Sequence, residues 1–278
     1  MNWDDWQPRI RARINRANPF SAGLVVALPL DGLPYEAVTD AALTYEGAPF
    51  FKASPSGEGM FTDGTDDGLL VMLPKTLSVP CTLLCIYCID PSSNVFLNTA
   101  QRDYPVALRD EASAFEVFHI GIANTAGSVA KVTTGMLDDT SGSGSGVDGA
   151  TNIWSTAAGV DLAIAGVFAS TTSLSVYLNG ALDGSATVSA KDPNCTRLYI
   201  GHTSSSSAHT DFAQGITKCV LVWDRALSAA EIDQISANPW QVFERTDRLP
   251  RMFKPAAGAG FKAAWARGAN TVIGAGAR

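Results

Sequence analysis

The residues of this 278-residue chain whose grouping first suggests chemistry are its aspartates. Asp63, Asp66 and Asp67 fall in one short turn-like stretch, DGTDDG. Asp138 and Asp139 open a second, Gly/Ser-rich stretch that closes near Asp148. Loop carboxylates are hard oxygen donors, so the ion they suit is calcium. No EF-hand spacing joins them. Adjacent aspartates beside glycine also form plain turns, because the side chain accepts from backbone N–H groups a residue or two further on.

Other reactive types are scattered. His119 lies in an alternating stretch next to Phe118 and Ile120, while His202 and His209 lie in a Ser-rich loop. No G-x-S-x-G elbow accompanies them, so they read as core or surface histidines. The Gly/Ser stretch at 141–149 lacks the lysine and following helix of a phosphate loop. Cys81, Cys85 and Cys88 sit in or beside one apolar run, and in a strand Cys85 and Cys88 face opposite sides. No set of four converging zinc ligands forms. Cys195 and Cys219 flank runs expected to pair, which would bring a disulfide within reach. The plainer expectation is five buried free thiols.

The elements that must hold these residues are nearly all strands. Leu24 to Leu30 reads as the first, and Gly57 to Leu73 as a hairpin-like segment turning at Asp63-Gly64 and Asp67-Gly68. Thr82 to Ile89 is continuously apolar, as a central strand buried on both faces must be. Val95 to Thr99 and Val106 to Arg109 are expected strands, and Phe115 to Ile122 pairs with Val129 to Thr134. Asp138 to Gly149 is expected to be a loop without structure of its own. Leu162 to Phe168 and Leu174 to Leu178 alternate, and Asn179-Gly180 turns the chain into Leu182 to Val188. The runs Leu198 to Ile200 and Ile216 to Trp223 follow.

One helix has both ends written into it. Ser228 and Glu231 form a capping box, Leu227 and Ile232 a hydrophobic staple, and Asn238-Pro239 a stop. Trp3, Trp6, Ile10 and Ile14 make an apolar stripe on a short N-terminal helix, interrupted by Pro8 unless the helix starts there. Many short strands with one late helix indicate an all-β sandwich or jelly roll.

Charge divides the chain. Residues 19–243 carry nine Lys/Arg against 23 Asp/Glu, residues 1–18 four Arg against two Asp, and residues 244–278 seven basic residues against two acidic. An acidic body with basic ends excludes a nucleic-acid-binding body and suits ends that dock on an acidic neighbour. Arg245, Arg248, Arg251 and Lys254 recur every three residues, and Phe261 and Trp265 anchor the Ala/Gly-rich remainder. There is no apolar secretory segment at the start, and no run approaches the ~18 apolar residues that span a bilayer, so no membrane partner is expected.

Four stretches resemble one family in the order its fold requires. Asn18-Pro19-Phe20-Ser21-Ala22-Gly23-Leu24-Val25-Val26-Ala27 resembles the first strand of laminin-G-like jelly rolls, within the concanavalin A-like lectin and glucanase group. Phe61-Thr62-Asp63-Gly64-Thr65-Asp66-Asp67-Gly68-Leu69 resembles their acidic turn, and Ser173 to Gly180 their late hairpin. LYIGH, from Leu198, and FAQGITKCVLVWDRALSAAEI, from Phe212, resemble their final strands and terminal helix. The ending Asn238-Pro239-Trp240-Gln241-Val242-Phe243 resembles a version common in bacteriophage proteins.

The resemblance implies a concanavalin A-like (laminin-G-like) β-sandwich jelly roll over residues 19–243. An N-terminal arm covers residues 1–18, and a basic extension covers residues 244–278. It implies calcium in many members, with Asp63, Asp66, Asp67, Asp138 and Asp139 as candidate ligands here and no other cofactor. It implies sugar binding as the common non-catalytic role, with Trp154 and Tyr104 as candidate contacts; Trp223 matches a position that is normally structural. The family's hydrolases carry an E-x-D-x-x-E strand. Asp110, Glu111 and Glu116 do not reproduce that spacing, so no enzyme is expected.

The expected role is a non-enzymatic bacteriophage virion protein on the head surface or tail exterior. A carbohydrate-binding receptor module is the alternative, and a glycoside hydrolase the remote one. The expected partners are other virion proteins, further copies of the chain, and cell-surface glycans. Trp3, Trp6, Ile10, Ile14, Arg245, Arg248, Arg251, Lys254, Phe261 and Trp265 are the expected assembly contacts.

Overall fold

The computed structural model describes residues 13–30, 34–54, 57–93, 102–110, 117–124, 129–137, 144–154, 156–189, 194–204 and 209–244. In chain order the strands are β1 Leu24–Pro29, β2 Leu43–Glu46, β3 Phe50–Ser54, β4 Gly57–Asp63, β5 Gly68–Leu77, β6 Cys81–Ile89 and β7 Arg102–Arg109. Then come β8 Val117–Asn124, β9 Ala130–Leu137, β10 Gly144–Asp148, β11 Asp161–Ser170, β12 Ser173–Leu178 and β13 Ala181–Thr187. The last are β14 Cys195–Ile200, β15 His202–Ser204, β16 His209–Phe212 and β17 Gln214–Trp223, followed by helix α1, Ala229–Ala237.

All the strands but β15 and β16, which pair with each other, form two antiparallel sheets face to face. One runs β13-β12-β11-β6-β17-β4-β3, with β1 also on β17; the other runs β10-β9-β8-β7-β14-β5-β2. Between them lies the main core, to which β6 gives Leu83, Cys85, Tyr87 and Ile89, and to which the second sheet gives Leu108, Phe118, Ile120 and Leu198. The alternate residues of β6, Leu84 and Ile86, pack on the outer side in a second core with Leu221, Trp223, Leu227, Ile232 and Ile235. Every residue of β6 is therefore buried, which is why its sequence is an unbroken apolar run.

Helix α1 caps that outer core. The Ser228 hydroxyl accepts from the Glu231 N–H at 3.3 Å, and the Ser228 N–H donates to Glu231 Oε2 at 2.8 Å. Burial alone would raise the Glu231 carboxyl, but the bonds from Ser228 and from Arg225 outweigh it and hold it below its ordinary value. The β12–β13 hairpin turns at Asn179 and Gly180, both left-handed (φ 52° and 89°), as a two-residue turn between right-twisted strands requires.

Four expectations are corrected. β4 and β5 lie in different sheets, so Gly57 to Leu73 is a crossover between layers and not a hairpin. Within the supposed loop 138–149, Gly144 to Asp148 pairs with Leu137 to Thr133 as an edge strand, steadied by Val147 in the main core. Gly and Ser supply no strand signal, so the pairing is imposed by β9. β14 and β17 also belong to opposite sheets and do not pair, which removes the disulfide that pairing would bring within reach. All five cysteines are free and buried, in line with the plainer expectation. Residues 13–18 form a bridge and turn; the rest of the expected N-terminal helix, and Val95 to Thr99, lie outside the described residues.

Candidate functional site

The acidic turn is the first place to look for a ligand. One carboxylate oxygen from each of Asp63, Asp66 and Asp67 lies within 4.8 Å of the others. Asp67 is buried, and its two oxygens are already engaged: Oδ1 accepts from the Ala48 N–H at 2.7 Å and Oδ2 from the Asp63 N–H at 3.2 Å. Asp63 Oδ1 in turn accepts from the Thr65 N–H at 2.8 Å. The bend that carries the chain from one sheet to the other is built from these bonds. Calcium takes six to eight oxygens; this turn offers the two exposed carboxylates of Asp63 and Asp66, and Asp63 already accepts one backbone N–H. Asp138 and Asp139 lie outside the described residues.

The aromatic candidates are turned inward. Tyr104 is buried, its hydroxyl accepts from Arg102 Nη1 at 3.0 Å, and its ring meets the edge of His119 at 4.6 Å. Burial, aided by the Arg102 charge, pushes His119 down to about 3, so it is neutral at physiological pH. Trp154 is half-buried against the main core. Trp223 is wholly buried and donates from Nε1 to the Phe20 carbonyl at 2.7 Å. His202 is also enclosed, between the rings of Tyr199 and Phe212, with Nε2 2.5 Å from a Glu46 carboxylate oxygen.

A polar and aromatic surface that the sequence reading missed lies on the outer face of the sheet containing β3, β4 and β17. Phe50, 52% exposed, rests against Phe61 with ring centroids 5.0 Å apart. The Lys52 ammonium sits 4.4 Å above the Phe61 ring and donates to Asp90 Oδ2 at 3.0 Å. Asp90 also accepts from the Ser92 hydroxyl at 2.6 Å, and Gln214 Nε2 donates to that hydroxyl at 3.1 Å. Burial alone would raise the Asp90 carboxyl, but the bonds from Ser92 and Lys52 hold it below its ordinary value, so it stays charged.

Deeper on the same face, Lys218 Nζ donates to Asp161 Oδ2 at 2.7 Å. Lys218 occupies a bulge in β17, between the segments that pair with β4 and with β1. Gly59 makes room for it, since a Cβ there would come within 2.9 Å of Lys218 Cγ. A lysine inside the apolar run Ile216 to Trp223 was the one visible signal of this face. Its other members are far apart in sequence.

Residues 13–18 and 241–244 meet at one place. The Asn15 N–H donates to the Val242 carbonyl at 2.8 Å, and the Glu244 N–H donates to the Arg13 carbonyl at 2.7 Å. Asn18 Nδ2 donates to the Gln241 carbonyl at 2.9 Å. Ile14, Trp240 and Phe243 are buried together in the outer core, so Ile14 is spent within its own chain. Trp3, Trp6, Ile10, Arg245, Arg248, Arg251, Lys254, Phe261 and Trp265 lie outside the described residues.

Comparison with known proteins agrees with this architecture. Residues 139–233 match the model of the concanavalin A-like lectin/glucanases superfamily. The receptor binding domain of botulinum neurotoxin C/D mosaic serotype is similar with a TM-score of 0.57 at 10% identity, over 78% of this chain and 51% of that one. The binding domain of Paraclostridial Mosquitocidal Protein 1 is similar with a TM-score of 0.58 at 12% identity, over 77% and 52%. The binding domain of botulinum neurotoxin DC in complex with SialylT is similar with a TM-score of 0.54 at 11% identity, over 77% and 51%. This chain thus spans about half the length of these structures, and the likeness is one of fold. No curated protein matches the chain. The chain carries a laminin-G-like jelly roll of the concanavalin A-like class.

Proposed function

We propose that this chain is a non-enzymatic recognition module, held on a larger assembly by its two ends and presenting its jelly roll outward to a saccharide. The observation that carries the reading is the pairing of residues 13–15 with 242–244. Both flanking segments start from this junction. Residues 245–278 carry seven basic residues against one acidic, while residues 1–12 carry two of each, so the cationic tether to a strongly acidic body is the C-terminal one. The bacteriophage-like ending Asn238 to Phe243 supports a virion, on the head or tail exterior, as the assembly.

Saccharide recognition is supported by the lectin-class fold and by the polar and aromatic outer face. A lytic role is disfavoured, because the chain lacks the carboxylate triplet of the fold's hydrolases. The buried acid Asp103 faces the sandwich interior, out of a substrate's reach. Among the described residues no helix is long and apolar enough to cross a membrane.

Light scattering tests the tether. The full chain is expected to self-associate or to bind an acidic partner surface at low salt and to release it at high salt. The body, residues 13–244, is expected to stay monomeric. Equal masses for both at every salt concentration, with no partner bound, would remove the reading.

A further inference from the structure

We propose that the outer face around Phe50, Lys52 and Asp90 is a binding surface for a neutral hexopyranose. The inference rests on the recognition reading above and fixes where recognition occurs. Helix α1, Ile14 and the segment Trp240 to Phe243 cover one part of this sheet's outer side. In the other part Phe61, Cys88 and Ile216 form a small apolar cluster. The Lys52 ammonium sits over the Phe61 ring of this cluster, and Phe50 rests against the same ring.

The occupant follows from the chemistry presented. Phe50 is half-exposed, and its ring is backed by that of Phe61 at an interplanar angle of 45°. A pyranose has an apolar C–H face that stacks on such a ring and a rim of hydroxyls. Beside the ring stand a donor and an acceptor of fixed orientation. The Lys52 ammonium has three N–H groups, one of them on Asp90. The Asp90 carboxylate is positioned by Ser92, itself held by Gln214. Such a network is organised before a ligand arrives, so little ordering cost falls on binding.

Charge selects within the saccharides. Among the described residues, both lysines on this face are matched by a carboxylate, Lys52 by Asp90 and Lys218 by Asp161. The surface therefore offers no net cation, and the body around it carries 23 acidic against nine basic residues. That field repels anionic ligands, so a carboxylated sugar is disfavoured and a neutral one is not.

Saturation-transfer NMR on the full chain tests this with methyl glycosides of glucose, galactose and mannose, and with sialyllactose. The expected result is transfer to the ring protons of a neutral glycoside, about tenfold weaker binding in Phe50→Ala, and a matching loss in Lys52→Met. The Lys52→Met arm decides the matter if Phe50→Ala melts early. Neutral glycosides bound equally by the wild type and both variants would overturn this surface while leaving recognition standing. Binding of sialyllactose alone would overturn the neutral class. No transfer to any saccharide would remove both this surface and the recognition reading.

Discussion

The ammonium of Lys218 lies 2.7 Å from the carboxylate of Asp161, with side-chain exposures of 1% and 5%. The pair joins β17 to β11 across β6, on the outer side of the sheet. Two charges removed from water cost several kcal/mol each, and their contact offsets that only while both are present. Asp161→Ala strips the ammonium of this carboxylate and is expected to destabilise the chain by about 3–5 kcal/mol. The double change Lys218→Met, Asp161→Leu is expected to recover most of the loss. Urea unfolding of the single and double variants measures both.

Asp103 gives stability a pH dependence of unusual sign for an aspartate. It is buried, accepts from the Ser93 hydroxyl at 2.8 Å, and lies 3.4 Å from the Tyr87 hydroxyl. Burial raises its carboxyl to about 7, against the smaller opposing pull of its hydrogen bonds. A folded-state value above the unfolded one means the contribution is whole below about pH 4 and is lost as pH rises towards 7. The stability of Asp103→Asn relative to wild type is therefore expected to rise by roughly 2–3 kcal/mol from pH 5 to pH 8. Denaturant curves at the two pH values check it, and a constant difference would contradict the assignment.

The acidic turn is expected to work without a metal. Asp67→Ala removes the acceptor of two backbone N–H groups and should cost about 1–3 kcal/mol. Calcium at millimolar level is expected to leave the melting temperature of the wild type unchanged. A calcium-dependent rise abolished by Asp66→Asn would show instead that the turn holds the ion.

Ser228→Ala breaks the capping box at α1 and should cost about 1 kcal/mol. Because α1 lids the outer core through Ile232 and Ile235, thermal unfolding should remain one transition, shifted down as a whole.

What the sequence revealed follows from how local each signal is. The cap at Ser228, the stop at Pro239 and the Asn179-Gly180 turn rest on neighbours within a few residues, and the structure has all three. The unbroken apolar run of β6 predicted burial on two faces for a reason that holds in any sheet. The failures depended on pairing over long separations. Two turn signals between β4 and β5 look the same whether the chain folds back in one sheet or crosses to the other. The Gly/Ser stretch at β10 becomes a strand only because β9 lies beside it.

The candidate site was hardest to read. Exposure, which separates a sugar-stacking ring from a core ring, is not a local property. Tyr104 proved buried and Trp154 half-buried, while Phe50 stood in a short strand without any distinguishing motif. Lys218 was legible as a charge within an apolar run, but its partner Asp161 lies 57 residues away.

The central claim is that this jelly roll holds a saccharide and leaves it chemically unaltered. The most direct measurement incubates the full chain with a panel of neutral and sialylated oligosaccharides, and follows both retention on the protein and the mass of each saccharide over time. The account predicts that at least one neutral oligosaccharide is retained and that every mass stays constant. Shortened products would make the chain a hydrolase, and a panel with nothing retained would contradict recognition itself.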